Sequence, residues 1–152
     1  GEGTIQNCTF AENEAAGGEG FFGAAIVAHG TESQGLEILN TIFWNNITNH
    51  EWTPMTCSVG NPGTPVPLPG SGNVQWPTLR NGPANNPDNP CTPGILFADA
   101  MLGPLQDNGG PTPTLLPGEN SMAIGLGSDC PETDQRGEPR STDTCTAGAV
   151  EP

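Results

Sequence analysis

Apolar and polar side chains alternate along Ile5-Gln6-Asn7-Cys8-Thr9-Phe10, the pattern of a strand with one buried face. A glycine-rich turn leads to a second short apolar run, Gly23-Ala24-Ala25-Ile26-Val27-Ala28. The third run, Leu36 to Trp44, alternates less cleanly. No window sustains a 3.6-residue period with caps, so helix is expected to be incidental at most. The runs also carry a weak internal repeat. Asn7-Cys8-Thr9-Phe10 followed by Asn13 matches Asn40-Thr41-Ile42-Phe43 followed by Asn45 and Asn46, 33 residues further on. A solenoid stacks like positions over like, so apolar residues line one core and asparagines ladder along the turns.

The pattern changes after residue 53. Ten prolines fall between Pro54 and Pro93, among many glycines and asparagines. Proline lacks a backbone donor and holds φ near −65°, so residues 54–94 read as a long excursion rather than sheet. Val74, Trp76 and Leu79 are its expected anchors. Residues 95–152 read as a compact tail with apolar pieces at Ile95-Leu96-Phe97 and Met101-Leu102. A turn is predicted at Asp107-Asn108-Gly109-Gly110-Pro111, and a last short strand at Ala147-Gly148-Ala149-Val150. These divisions, 1–53 as coils, 54–94 as a packed excursion and 95–152 as strands with a cap, are expected to form one continuous domain.

Composition narrows the class. Glycine and proline number 22 and 17, about a quarter of the 152 residues, which approaches the range of unpatterned disordered chains. Three Trp, five Phe and five Cys argue instead for ordered loops stapled around a small core. The net charge is −14, with no lysine and arginine only at positions 80, 136 and 140. Nucleic acid is excluded as a partner, because neutralising phosphates requires Lys and Arg. The acidity either keeps an exported protein soluble or suits divalent cations. No apolar run approaches the ~18 residues of a membrane-spanning helix. No basic-then-apolar leader opens the chain. The cysteine pattern nonetheless reads as extracellular or cell-surface, so a processed form is expected, with material upstream of the strand in which it opens.

The cysteines suggest two staples. Cys130 and Cys145 close a loop of about 15 residues, worth roughly 3 kcal/mol in the chain-entropy picture. Zinc is the competing reading, but no Cys or His partner stands at ligand spacing. Cys57 and Cys91 are the natural second pair, which leaves Cys8 as a small hydrophobe on its strand. Arg136 and Arg140 are expected to pair with acids of the Cys130–Cys145 region, Asp134 first among them, and so to pin it. The other acids there are Asp129, Glu132, Glu138 and Asp143, and calcium is a lesser candidate ligand for the group; otherwise no cofactor or metal is expected.

Catalytic signals are weak. His29 and His50 are the only histidines, and no Gly-x-Ser-x-Gly turn exists to hold a nucleophile. Paired carboxylates could hydrolyse a glycoside, but lyase chemistry is hard to assemble with so few cations. Trp44, Trp52 and Trp76 are candidate platforms for stacking sugars. Asn7-Cys8-Thr9 and Asn46-Ile47-Thr48 are formal glycosylation sequons.

The tail carries a family likeness. Leu102-Gly103-Pro104-Leu105-Gln106-Asp107-Asn108-Gly109-Gly110-Pro111-Thr112-Pro113-Thr114 resembles the C-terminal signature of the choice-of-anchor Q domain proteins. So do Leu116-Pro117-Gly118, Ser121 to Ile124, Cys130, Asp134-Gln135-Arg136-Gly137, Arg140, Cys145, and Gly148-Ala149 ahead of Glu151. That group consists of bacterial surface proteins built on right-handed parallel β-helices. Asn7 to Asn13 with Gly23 to Ile26 resembles the repeat shared with polymorphic outer-membrane proteins. Met122, Gly125 and Thr146 depart from the family's usual Pro, Asp and Asp, so any role of those carboxylates is missing here. The resemblance also implies a sorting or anchoring tail, here either absent or removed.

Together these readings predict an all-β chain: a short right-handed parallel β-helix with a loop-rich, disulfide-stapled C-terminal cap. The expected role is a non-enzymatic extracellular or cell-surface structural protein, with end-to-end stacking of coils into a fibre as one form of it. Partners would then be further copies, head to tail, or other surface components. The alternative is a carbohydrate-binding or adhesive module with glycans as ligands. A degenerate polysaccharide lyase or hydrolase ranks third.

Overall fold

The computed structural model describes residues 2–16, 23–28, 35–49, 55–61, 64–80 and 85–152. It is all-β, with two disulfides and no helix among those residues. Twelve short strands run in chain order: β1 (Gly3–Gln6), β2 (Thr9–Ala11), β3 (Glu14–Ala15), β4 (Ile26–Ala28), β5 (Leu36–Leu39), β6 (Ile42–Trp44), β7 (Ile47–Thr48), β8 (Cys57–Asn61), β9 (Thr64–Pro65), β10 (Gly70–Ser71), β11 (Val74–Trp76) and β12 (Leu96–Phe97). They form four small sheets, ordered β1-β5-β10, β12-β11-β6-β2, β3-β7 and β4-β8-β9. Every pairing is parallel except the β8–β9 hairpin.

Register follows the sequence repeat. Ile5 lies beside Ile38, Phe10 beside Phe43 and Glu14 beside Ile47. The corners between strands are made by left-handed residues. Asn7 (φ 48°) and Asn40 (φ 49°) turn the chain out of β1 and β5, and Gly72 (φ 67°) does so after β10. Asparagine tolerates this region better than most residues. At Gly72 a side chain is also barred, since an added Cβ would sit 2.3 Å from Asn40 Oδ1.

The parallel stacking does not stop at residue 53. β8, β10 and β11 all lie within the window expected to be an excursion, and each pairs in register with an earlier strand. The prolines permit this by position: Pro69 directly precedes β10 and Pro77 directly follows β11, so neither interrupts a ladder. Leu79, an expected anchor, is exposed instead, while Val74 is fully buried.

Two apolar cores flank the sheet that contains β6. Successive strand side chains point to opposite faces. On one face Phe43 packs with Ile26, Ile38, Val59, Leu68 and the Cys57–Cys91 disulfide, and Phe10 stacks on Phe43 with ring centroids 5.3 Å apart. On the other, Ile42 and Val74 pack with Ala100, Leu102, Ala123 and Ala147. Residues 98–152 therefore form a layer against the side of this sheet. The expected cap at the end of the stack is corrected accordingly. Within this layer only isolated bridges occur, among them Gln106–Thr114 across the predicted turn, and Ala147 to Val150 is not a strand.

Closure of the far end falls to residues 85–97. The buried Asp88 carboxylate accepts the N–H groups of Met55 (2.8 Å) and Thr56 (3.1 Å) and the Gln75 amide (3.0 Å). Beyond β10, the Leu68 N–H donates to the Cys91 carbonyl, and Asn73 Nδ2 donates to Thr92 Oγ1. Cys91 itself is joined to Cys57 in β8.

Candidate functional site

The residues named from sequence fall into three places. The first is the C-terminal layer, where the Cys130–Cys145 disulfide meets the first two corners. Asn7 Nδ2 donates to Thr146 O at 3.3 Å and lies 3.3 Å from Cys130 Sγ. Asn40 Nδ2 donates to Ser128 O at 2.7 Å, and the Ser128 N–H returns to Asn40 Oδ1 at 3.2 Å. Both sequon asparagines are sequestered, since Asn46 is also fully buried and donates to the Phe10 carbonyl.

Asp134, Arg136 and Arg140 share one buried network, and Glu151 links them. Asp134 Oδ2 receives Arg136 Nη2 at 2.9 Å and the Glu151 N–H at 3.0 Å, while Oδ1 receives the N–H groups of Arg136 and Glu138. Arg136 also donates to the carbonyls of Asn108 and Glu151. Arg140 donates to the carbonyls of Thr146 and Gly148 and pairs with Glu151 Oε2 at 3.3 Å. Burial alone would raise the Asp134 pKa. The Glu151 N–H, the Arg136 guanidinium and two further backbone donors outweigh burial and hold it below the ordinary carboxylate value. Glu151 was not among the acids expected to pair with arginine, because it lies outside the disulfide loop. The acids expected there besides Asp134, namely Asp129, Glu132, Glu138 and Asp143, are all exposed. Among the described residues, no group of three or more His, Cys, Asp or Glu side chains is placed to hold a metal ion.

The second place is the tryptophan column. Trp44 and Trp76 are register partners on β6 and β11, and both are half-buried. The Trp44 ring packs against the second core, and its Nε1 donates to Asp99 Oδ1 at 2.9 Å. Trp52, the third expected platform, lies outside the described residues, as do His29 and His50.

The third place escaped sequence reading. A cleft of about 580 Å³ opens between Gln6–Phe10 and the C-terminal layer, where Leu105, Leu115 and Pro131 face it. Five consecutive residues line it, from both faces of the strand, so the cleft meets β2 edge-on. Cys8, the free cysteine, is half-buried there. Burial raises its thiol pKa, partly offset by the Gln6 backbone, so it is a poor nucleophile at neutral pH. No family model matches the chain, and neither do curated protein sequences or solved structures at a significant level.

Proposed function

We propose that this chain is a non-enzymatic extracellular or cell-surface structural module: a short right-handed parallel β-helix, closed at its far end and buttressed along one side by a disulfide-bonded layer. One observation carries the reading. Strands 33 residues apart pair in parallel register, with corner asparagines repeating at the same left-handed positions. Such stacking is how a solenoid buries its core. Two disulfides favour an oxidising compartment, and no helix of the described residues is long and apolar enough to cross a membrane. The likeness of residues 102–151 to the choice-of-anchor Q signature supports a surface role.

A head-to-tail fibre needs a template strand at each end. Cys91 and Thr92 lie beside β10 and weigh against that version, so discrete particles are the expected form. The glycan-binding alternative draws less support, because the Trp44 ring is packed against the second core and its N–H is already engaged by Asp99.

Two measurements test the proposal together. Thermolysin should leave the oxidised chain largely intact and cut the reduced chain quickly, and assays on acidic and neutral glycans should show no turnover. Turnover on any glycan refutes the non-enzymatic reading. Equal proteolysis of both redox forms refutes the stapled architecture. Ordered filaments in negative-stain micrographs would restore the fibre.

A further inference from the structure

Strands β1, β2, β3 and β4 belong to the first turn of the stack, and among the described residues each has a strand neighbour on one side only. The opposite end is covered by the Cys91–Thr92 segment. The two ends therefore differ among the described residues, and along the edge of the first turn runs the cleft beside β2.

A side-chain ladder shows what the open edge fits. At one corner the Cys8 N–H donates to Thr41 Oγ1 at 3.4 Å, and the Thr41 N–H donates to Asn73 Oδ1 at 2.8 Å. At the next corner the Asn13 N–H donates to Asn46 Oδ1 at 3.2 Å. In each case an earlier coil gives an amide to a later coil's side chain. Cys8 occupies the next place in this ladder. Its sulfur bonds the Gln6 carbonyl at 3.3 Å, as Thr41 Oγ1 bonds the Leu39 carbonyl at 2.9 Å. Inside the stack, Phe10 covers Phe43 and is itself only half-buried. Outside it, Leu105 is 66% exposed across the cleft.

Resting on the parallel β-helix reading, we propose that this edge and its cleft seat one further coil of the same repeat, in parallel register. That coil gives a backbone N–H to the Cys8 sulfur, stacks an apolar side chain on Phe10, and is held from outside by Leu105, Leu115 and Pro131. A second copy of the chain fits less well. To stack on the first turn in parallel, a second copy would have to pair its β10 with β1, and Cys91 and Thr92 already lie beside β10, bonded to Leu68 and Asn73.

The test extends the full chain with a duplicate of residues 2–34 fused directly ahead of Glu2, its own cysteine replaced by serine. A control carries the same 33 residues in scrambled order. Maleimide labelling of Cys8 should slow at least tenfold in the extended chain and stay unchanged in the control. Equal labelling in both overturns the proposal. So does a concentration-dependent dimer of the unextended chain that protects Cys8, which would name a second copy as the occupant. A separate chain carrying Thr4→Cys and Glu37→Cys, exposed register partners on β1 and β5, keeps the two readings apart. If that cross-link forms while Cys8 stays reactive, the docking fails alone; if it does not form, the β-helix fails with it.

Discussion

Arg140 and Glu151 form an ion pair at 3.3 Å inside the C-terminal layer, and the Arg140 side chain is 2% exposed. The same guanidinium holds the carbonyls of Thr146 and Gly148, and Glu151 also accepts the Thr146 N–H and hydroxyl. The pair therefore fixes residues 146–151, which pack Ala147 into the second core. Removing one partner leaves a buried charge unmatched. Arg140→Met should cost about 3 kcal/mol, a drop in thermal midpoint of roughly 10 °C for a domain of this size. Glu151→Gln should cost less, since it can still accept hydrogen bonds. Calorimetry on both variants checks the order.

Asp134 sets an acid limit. Its folded-state pKa is depressed, so its contribution is fully present above the unfolded carboxylate pKa of about 4 and is lost as pH falls through the folded value. Thermal midpoints measured between pH 7 and pH 2 should fall steeply at the acid end. Asp134→Asn should be less stable at neutral pH, with the difference from the parent narrowing in acid. A constant difference across that range would remove Asp134 from this role.

The two disulfides should be unequal. Loop closure alone assigns about 4 kcal/mol to Cys57–Cys91, which spans 34 residues, and about 3 kcal/mol to Cys130–Cys145, which spans 15. The first pair is also part of the apolar core and fastens the closing segment. Replacing Cys57 and Cys91 by serine should thus lower the urea midpoint more than the same change at Cys130 and Cys145. The reverse order would mean that the side layer carries more of the fold than the stack does.

At Asn40 backbone and side-chain contributions can be separated. Asn40→Ala meets a left-handed φ, at about 1–2 kcal/mol, and loses the hydrogen bonds with Ser128, at about 1 kcal/mol each. Asn40→Gly removes only the second part. Glycine should recover a measurable share of the stability that alanine loses, by denaturant titration. No difference between the two would place the whole effect in the side chain.

These residues also show what the sequence discloses. Asn7 and Asn40 were readable as a repeat because the chain leaves β1 and β5 through the same residue at a left-handed corner. The strands β10 and β11 were not, because Gly72 takes that corner, Val74-Gln75-Trp76 replaces the apolar run, and prolines crowd the strand ends. The side layer left one trace, the imperfect alternation at Ile42-Phe43-Trp44. A strand buried on both faces has no polar face to alternate with. Nothing local told that the second face is covered by residues 98–152. Glu151 went unrecognised as Arg140's partner for a similar reason: its side chain finds the guanidinium through the fold of the layer, not through the spacing of the disulfide loop.

Asn7 is fastened by Thr146, 139 residues later, and Thr9 by the Ala149 N–H, 140 residues later. The first strands are thus secured by residues far along the chain. Long-range contacts of this kind slow folding, because a large loop must close before they form. Until residues 146–149 are in place, the turn between β1 and β2 lacks two of the hydrogen bonds that hold it, so the β1–β2 corner closes no earlier than the segment beyond the second disulfide.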